Sequence, residues 1–247
     1  MKTILITGGS RGIGRSAAVL AGARGWSVAV NYVGNEAAAE ATADAVRGAG
    51  GRAIAVRGDV SVEADVLAMF DAAERELGKL DGVVVNAGIV APPRKLAEMD
   101  AARLRRMFEI NVLGAYFCAR EAARRLGRAH HRSGGAVVLI SSMAAQLGAP
   151  FEYVDYAGSK GAIDTLTVGL SKELGPEGVR VNAIRPGLIE TEIHASGGTP
   201  DRATRLGVTT PLGRSGQPDE VGEAIVWLLS DAASYVSGTI VNVSGGR

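Results

Sequence analysis

The sequence predicts an α/β fold, a doubly wound parallel sheet of about seven strands with helices on both faces. Short runs rich in β-branched residues alternate with longer Ala-rich stretches of helical spacing along the whole chain. Several of these runs are apolar at every position, the pattern of strands covered on both sides. Repeated strand–helix units give parallel pairing through right-handed crossovers. No long linker, repeat or low-complexity tract divides the 247 residues, so residues 1–247 are expected to form a single domain.

Taken in order, Ile4 to Ile6 reads as the first strand and Ile13 to Ala23 as the helix after it. Val28 to Val30, Ala53 to Val56 and Val83 to Val85 are the next strands. Glu36 to Val46 and Val62 to Leu77 are the helices between them. Ala101 to Leu126 reads as one long fourth helix, followed by a strand at Ala136 to Ile140 and a helix at Tyr156 to Leu174. Val179 to Ile184, a helix at Pro218 to Leu229 and Thr239 to Val243 complete the series. The exception is residues 191–216, which hold Gly197, Gly198, Pro200, Gly207, Pro211 and Gly213 without a helical stripe. This segment reads as a loop with one short helix. It would lie beyond the carboxyl end of the sixth strand, where ligands bind in open α/β sheets, and is expected to be a substrate lid.

Composition narrows the class of function. Hydrophobic residues make up 47% and charged residues 21%, a globular balance that excludes disorder. The single cysteine, Cys118, excludes a disulfide framework and a cysteine-based zinc module, and no metal site is expected. A formal charge of +1 points neither to nucleic acid nor to an anionic membrane. No apolar run approaches the roughly 18 residues of a membrane span. The opening Met1 to Thr7 stretch breaks at Gly8-Gly9 too soon for a signal peptide, so a soluble cytoplasmic protein is expected. The fourth helix carries Arg103, Arg105, Arg106, Arg120, Arg124, Arg125, Arg128 and Arg132, read as a solvated or subunit-contacting face with Glu121 able to pair with Arg125.

The first strand runs into Thr7-Gly8-Gly9-Ser10-Arg11-Gly12-Ile13-Gly14, and a helix follows at once. Gly8 permits a tight turn, while Gly12 and Gly14 remove side chains where backbone must approach a pyrophosphate or pack on the sheet. The helix N-terminus then offers free N–H groups and a positive dipole end. Between a first strand and a first helix, this pattern points to a dinucleotide. The second strand ends Asn31-Tyr32-Val33, without the carboxylate that commonly meets the ribose of NAD. Glu36 follows Gly34-Asn35 and reads as part of a capped helix start. Arg11 sits inside the loop where a 2′-phosphate would lie. Together these favour NADP(H) over NAD(H), which stays open as an alternative.

Tyr156 and Lys160 stand four residues apart, on one face of a helix. A phenol with a pKa of about 10 is a poor acid–base group near neutrality, and a neighbouring ammonium favours its ionised form. Strand five ends Ile140-Ser141-Ser142, and strand six leads into Arg185-Pro186-Gly187-Leu188-Ile189-Glu190-Thr191.

With Asp59-Val60, Asn86-Ala87-Gly88, Asn111 and the Ser237 to Gly246 close, these ordered motifs resemble the short-chain dehydrogenase/reductase family over nearly the whole chain. In style they are similar to its 3-oxoacyl-carrier-protein reductase and glucose-dehydrogenase-like members. The resemblance implies a single Rossmann domain that interconverts a carbonyl and a secondary alcohol. Tyr156 would give or take the proton, and Lys160 would bind the nicotinamide ribose and lower the Tyr156 pKa. Ser142 would hydrogen-bond the substrate oxygen. Asn111 would hold a helix kink and a relay water. Pro186-Gly187, Ile189 and Thr191 would line the nicotinamide amide, and Asp59-Val60 the adenine. Gly8, Ser10, Arg11, Gly12, Ile13, Gly14, Asn31, Tyr32, Asn86, Ala87 and Gly88 complete the expected cofactor contacts. A homotetramer is implied by the same analogy.

Ser142 precedes Tyr156 by fourteen positions, one more than the family commonly leaves. The extra residue reads as part of the Gln146 to Asp155 loop, with Ser141 as a lesser candidate for the serine role. Tyr153 lacks a lysine four residues on, because Ala157 stands there, and reads as a pocket wall. His194 reads as an exposed lid histidine rather than a substrate contact. A silent dinucleotide sensor would need only the phosphate loop. An epimerase or dehydratase using the same tyrosine would, by resemblance, need a larger substrate domain. Neither the substrate nor the direction of reaction is legible from the chain.

Overall fold

The computed structural model describes residues 1–127 and 134–247. Arg128 and Arg132 of the arginine-rich helix lie outside the described residues. Seven parallel strands form one sheet in the order β3-β2-β1-β4-β5-β6-β7. They are β1 (Thr3–Ile6), β2 (Ser27–Tyr32), β3 (Arg52–Arg57), β4 (Gly82–Val85), β5 (Gly135–Ile140), β6 (Val179–Pro186) and β7 (Ile240–Val243). β1 and β4 are side by side, with Leu5 opposite Val83 and Ile6 opposite Val84. The strand order reverses there, which opens a crevice at the carboxyl ends of the strands.

Both faces of the sheet are covered, so β1 is buried at every position. Ile4 and Ile6 join the core beneath α1 (Gly12–Ala23), α2 (Glu36–Gly48) and α10 (Pro218–Leu229). Leu5 points the other way, into a core with Phe70 on α3 (Glu63–Leu77), Cys118 on α5 (Ala115–Leu126) and Ile163 on α7 (Val154–Leu174). The period of two along the strand thus serves two separate cores.

The long fourth helix is a correction. Ala101–Phe108 forms α4, Glu109–Gly114 is a π-helical turn, and only then does α5 begin. No proline or glycine pair marks the break in the sequence. It is held by Asn111, whose buried side chain bonds Ile89 on the loop after β4 as well as Met107 on α4. Bulges of this kind concentrate at functional sites.

The arginine face is corrected in part: Arg105, Arg106 and Arg124 are exposed, but Arg103 and Arg125 are not. Arg103 is buried against Asp155, and Arg125 bonds Asp71 and Glu74 on α3 as well as lying near Glu121. These cations tie elements together instead of facing solvent. The segment after β6 carries two short helices rather than one, α8 (Ile193–Ser196) and α9 (Arg202–Gly207). A further short helix, α6 (Ala144–Leu147), follows β5. Among the described residues no helix is long and apolar enough to cross a membrane.

Candidate active site

A cavity of about 680 Å³ opens over the carboxyl ends of the strands. Of the expected site residues, Gly8, Ser10, Arg11, Gly12, Ile13, Asn31, Tyr32, Asp59, Val60, Asn86, Ala87 and Gly88 line it. Ser142, Tyr156, Lys160, Pro186, Gly187, Ile189 and Thr191 do too. Gly14 and Asn111 lie beneath it and act on its walls.

The phosphate loop is shaped by other strands. Gly12 opens α1 with φ +53, a left-handed conformation that favours glycine. A Cβ on Gly14 would stand 2.5 Å from the Gly8 carbonyl oxygen and 2.7 Å from Asn86 Nδ2, so no side chain fits there. Asn31 Oδ1 accepts from the Gly8 amide at 3.1 Å, while its Nδ2 donates to the Gly58 carbonyl at 2.9 Å. Asn86 Nδ2 donates to the carbonyls of Thr7 and Gly8, and Thr7 Oγ1 accepts from the amides of Asn86 and Ala87. The Asn31 side chain and the Asn86 amide nitrogen are therefore spent on the loop and not left for a ligand. The first bond of α1 runs from the Arg15 amide to the Arg11 carbonyl, so the amides ahead of it have no intrahelical acceptor. Gly12 and Ile13 carry two of them into the cavity, as a dinucleotide phosphate requires.

At the adenosine end, Asn35 caps α2 by accepting from the Ala38 amide, and Glu36 is the first residue of that helix. Burial raises the Tyr32 pKa above 10, and the Glu36 carboxylate beside its hydroxyl adds to this. Asp59 forms a turn ahead of α3, accepting from the Ser61 amide and hydroxyl at 2.9 and 2.6 Å. Burial would raise its pKa, but the Ser61 bonds and Arg106 outweigh it and hold the carboxyl below its ordinary value.

At the other end, Tyr156 stands in the first turn of α7 and faces the same cavity as Ser142. Ser142 Oγ also accepts from the Ala144 amide at 3.1 Å. Ser141 points away: it is buried and donates to the Lys160 carbonyl at 3.2 Å. Lys160 Nζ donates to the Ile140 carbonyl at 2.7 Å and lies 5.7 Å from the Tyr156 ring centroid. Burial pushes the lysine down to about 8, with Asp164 opposing. Burial also raises the Tyr156 pKa, and Ser142 is what lowers it. The depression expected from Lys160 is thus not what governs the phenol here. Asn111 Oδ1 accepts from the Ile89 amide at 2.8 Å, and its Nδ2 donates to the Ile89 carbonyl and to Ser159 Oγ. The Ile189 side chain is buried in the core, leaving only its main chain for the cavity.

The remaining lining is largely apolar. Val90, Met143, Leu147 and Leu188 form apolar walls, with Tyr153 among them. Arg202 on α9 pairs with both oxygens of Glu152, at 2.9 and 2.6 Å, and lies over the Tyr153 ring. His194, expected in solvent, lines the cavity and bonds the Ile189 carbonyl through Nε2 at 2.9 Å. The Gln146 to Asp155 loop contains two non-glycine residues with positive φ, Ala149 at 42° and Phe151 at 66°, in the region where an extra residue is expected. Among the described residues no cluster of His, Cys, Asp and Glu could hold a metal ion.

A family profile described as enoyl-(acyl carrier protein) reductase matches residues 8–247. "Uncharacterized oxidoreductase YgfF" of Escherichia coli K12 is 49% identical over 247 residues, covering all of both chains. "L-rhamnose 1-dehydrogenase (NAD(P)(+))" of Sphingomonas sp. SKA58 is 37% identical, covering 99% of this chain and 95% of that protein. Among solved structures, levodione reductase superposes with a TM-score of 0.92 at 31% identity, over 99% of this chain and 96% of that one. With a crevice at the strand reversal, a glycine-shaped loop beneath a helix end and full-length similarity to oxidoreductases, the chain belongs to the short-chain dehydrogenase/reductase family.

Proposed function

We propose that the protein is an NADP(H)-dependent oxidoreductase that interconverts a carbonyl and a secondary alcohol, with Tyr156 as the acid–base group. The observation that carries this reading is the convergence of Tyr156, Ser142 and Lys160 on one cavity with the glycine-shaped phosphate loop. A substrate oxygen placed between the Tyr156 and Ser142 hydroxyls meets two donors. In reduction Tyr156 gives its proton to that oxygen, and Ser142 holds the oxygen in line. In oxidation the phenolate form of Tyr156 takes the alcohol proton. The raised pKa keeps Tyr156 protonated near neutrality, which suits it as the acid. When bound, the nicotinamide supplies the hydride chemistry.

Lys160 and Tyr156 would hold the nicotinamide ribose, and the main chain of Pro186, Gly187, Ile189 and Thr191 the amide. Asn111 has both side-chain groups committed to the protein, so a relay water would take its main-chain carbonyl. Arg11, exposed at the start of α1, supports the choice of NADP(H), together with the lack of a carboxylate at the end of β2. Phe108, Leu113 and Tyr116 near α5 and Val168 on α7 are exposed apolar groups, which supports a homo-oligomer with these helices at the contact.

The direct test follows absorbance of the reduced cofactor across a panel of ketones, aldehydes and secondary alcohols, with NADPH and NADH in parallel. Turnover with either cofactor supports the oxidoreductase reading. Tight cofactor binding without turnover on any member would replace it with the silent sensor.

A further inference from the structure

We propose that His194, on the lid, accepts a hydrogen bond from a second hydroxyl of the substrate, so that the enzyme prefers hydroxylated substrates over simple ketones and alcohols. This rests on the carbonyl–alcohol reading above and adds the class of molecule.

The argument begins with the ring's own bonding. Nε2 of His194 lies 2.9 Å from the Ile189 carbonyl, which can only accept, so the proton is on Nε2. Burial lowers the His194 pKa below 6.5, the bond to Ile189 opposes this, and Arg202 lowers it further. The ring is therefore neutral at pH 7 and Nδ1 is a bare acceptor. Among the described residues Nδ1 has no hydrogen-bond donor, although His194 lines the cavity that holds Tyr156 and Ser142.

The surroundings define what this acceptor can meet. Glu152 and Arg202 neutralise each other, and both terminal nitrogens of Arg202 are used on Glu152. A substrate carboxylate would have to break that pair, whereas a hydroxyl has acceptors waiting at Nδ1 and at the remaining lone pairs of the half-exposed Glu152 carboxylate. Val90, Met143, Leu147 and Leu188 cover the hydrocarbon part. The part of the pocket lined by His194, Glu152 and Arg202 is thus polar but uncharged overall, and acceptor-rich. An acceptor covered by the bound substrate discriminates because an analogue without the hydroxyl leaves it unpaired.

The test compares oxidation of cyclohexanol with 1,2-, 1,3- and 1,4-cyclohexanediol, and measures binding of the same four alcohols to the cofactor-loaded protein by calorimetry. At least one diol should exceed cyclohexanol by about tenfold in both kcat/KM and affinity. His194→Gln keeps an amide nitrogen for the Ile189 carbonyl but removes the Nδ1 acceptor, and should bring the diol-to-cyclohexanol ratio close to one. His194→Asn, which places an amide near the Nδ1 position, should retain part of the preference. If the histidine only anchors the lid, the Gln variant keeps the preference and the Asn variant loses it, and the proposal fails. Equal use of all four alcohols, or turnover of other carbonyls but of none of these, overturns it while leaving the oxidoreductase reading intact. Absence of turnover on any carbonyl or alcohol removes both.

Discussion

Arg103 on α4 grips Asp155, the residue before Tyr156, through two nitrogens: Nε at 2.8 Å from Oδ2 and Nη2 at 3.2 Å from Oδ1. The carboxylate is completely buried, and Arg103 Nη1 also donates to the Pro92 carbonyl at 2.6 Å. The pair therefore fastens the N-terminus of α7 to α4 and to the loop after β4. Arg103→Ala leaves a buried carboxylate unpaired and should cost about 3–5 kcal/mol in urea unfolding. Replacing both residues by leucine should recover much of that loss. A single-variant cost below about 1 kcal/mol, typical of an exposed pair, would refute the role assigned to this contact.

Tyr156→Phe keeps the ring and removes the transferable proton. Turnover should fall by roughly 10²–10⁴-fold while affinity for the reduced cofactor stays within a few-fold. Ser142→Ala should reduce turnover far more than Ser141→Ala, because the Ser141 hydroxyl is turned toward the Lys160 carbonyl. If the Ser141 change does more damage, Ser142 is not the group that holds the substrate oxygen.

Lys160 links folding to pH in the apo protein. Its folded pKa, about 8, lies below its ordinary 10.5 because burial penalises the charge. Below pH 8 the cost of burying the ammonium is fully present. It disappears as pH rises toward 10.5, where the unfolded chain holds more protons than the folded one. Stability of the wild type relative to Lys160→Met should therefore rise between pH 8 and 10, by up to about 2–3 kcal/mol. Stopping at pH 10 keeps the Tyr156 titration out of the window. A flat difference across the range would refute the linkage.

Arg11 can give a 2′-phosphate a charge-assisted hydrogen bond, of about 1.5–3 kcal/mol or roughly tenfold to a hundredfold in affinity. NADPH should bind more tightly than NADH, and Arg11→Ala should narrow the gap. Tyr32→Asp should narrow it further by placing a like charge near the phosphate. Calorimetric titration of both cofactors decides this, and equal affinities in the wild type would sink the NADP(H) assignment.

Ala149 sits at φ 42, directly after Gly148 at φ 75. A left-handed alanine costs about 1–2 kcal/mol, part of which glycine returns to a more flexible unfolded chain. Ala149→Gly should raise stability by about 0.5–1 kcal/mol, seen as a rise of roughly 1–4 °C in Tm. A fall in Tm would show that Ala149 is unstrained.

The parts of the fold and site that can be read from the sequence are those whose meaning is local. Gly8 to Gly14 occupies one turn between a strand and a helix, and Tyr156 and Lys160 are one helical turn apart. The strands are readable because burial on both faces leaves continuous apolar runs. Asn111 could be reached only through family resemblance. Its work is done on Ile89 and Ser159, and nothing in Glu109 to Gly114 interrupts the helical pattern. Arg103 and His194 mislead for the same reason: exposed-looking residue types acquire buried partners, Asp155 and Ile189, that lie elsewhere in the chain or across a turn. A burial pattern can be inferred from periodicity, but a pairwise contact between distant residues cannot.

The bridge between Ile189 and Gly216 has a consequence for how this enzyme can change. The Glu190 amide bonds the Gly216 carbonyl at 2.9 Å, and the Gly216 amide bonds the Leu188 carbonyl at 2.8 Å. The chain therefore leaves and rejoins the sheet at one clasp, and between its ends it is tied down again by Arg202 on Glu152 and by the Leu212 amide on the Gly245 carbonyl. Doubling the length of such a closed loop costs only about 0.6 kcal/mol. Residues between these ties can be added or exchanged without shifting Pro186-Gly187 or the tyrosine, so substrate choice can be regrafted while the chemistry stays in place.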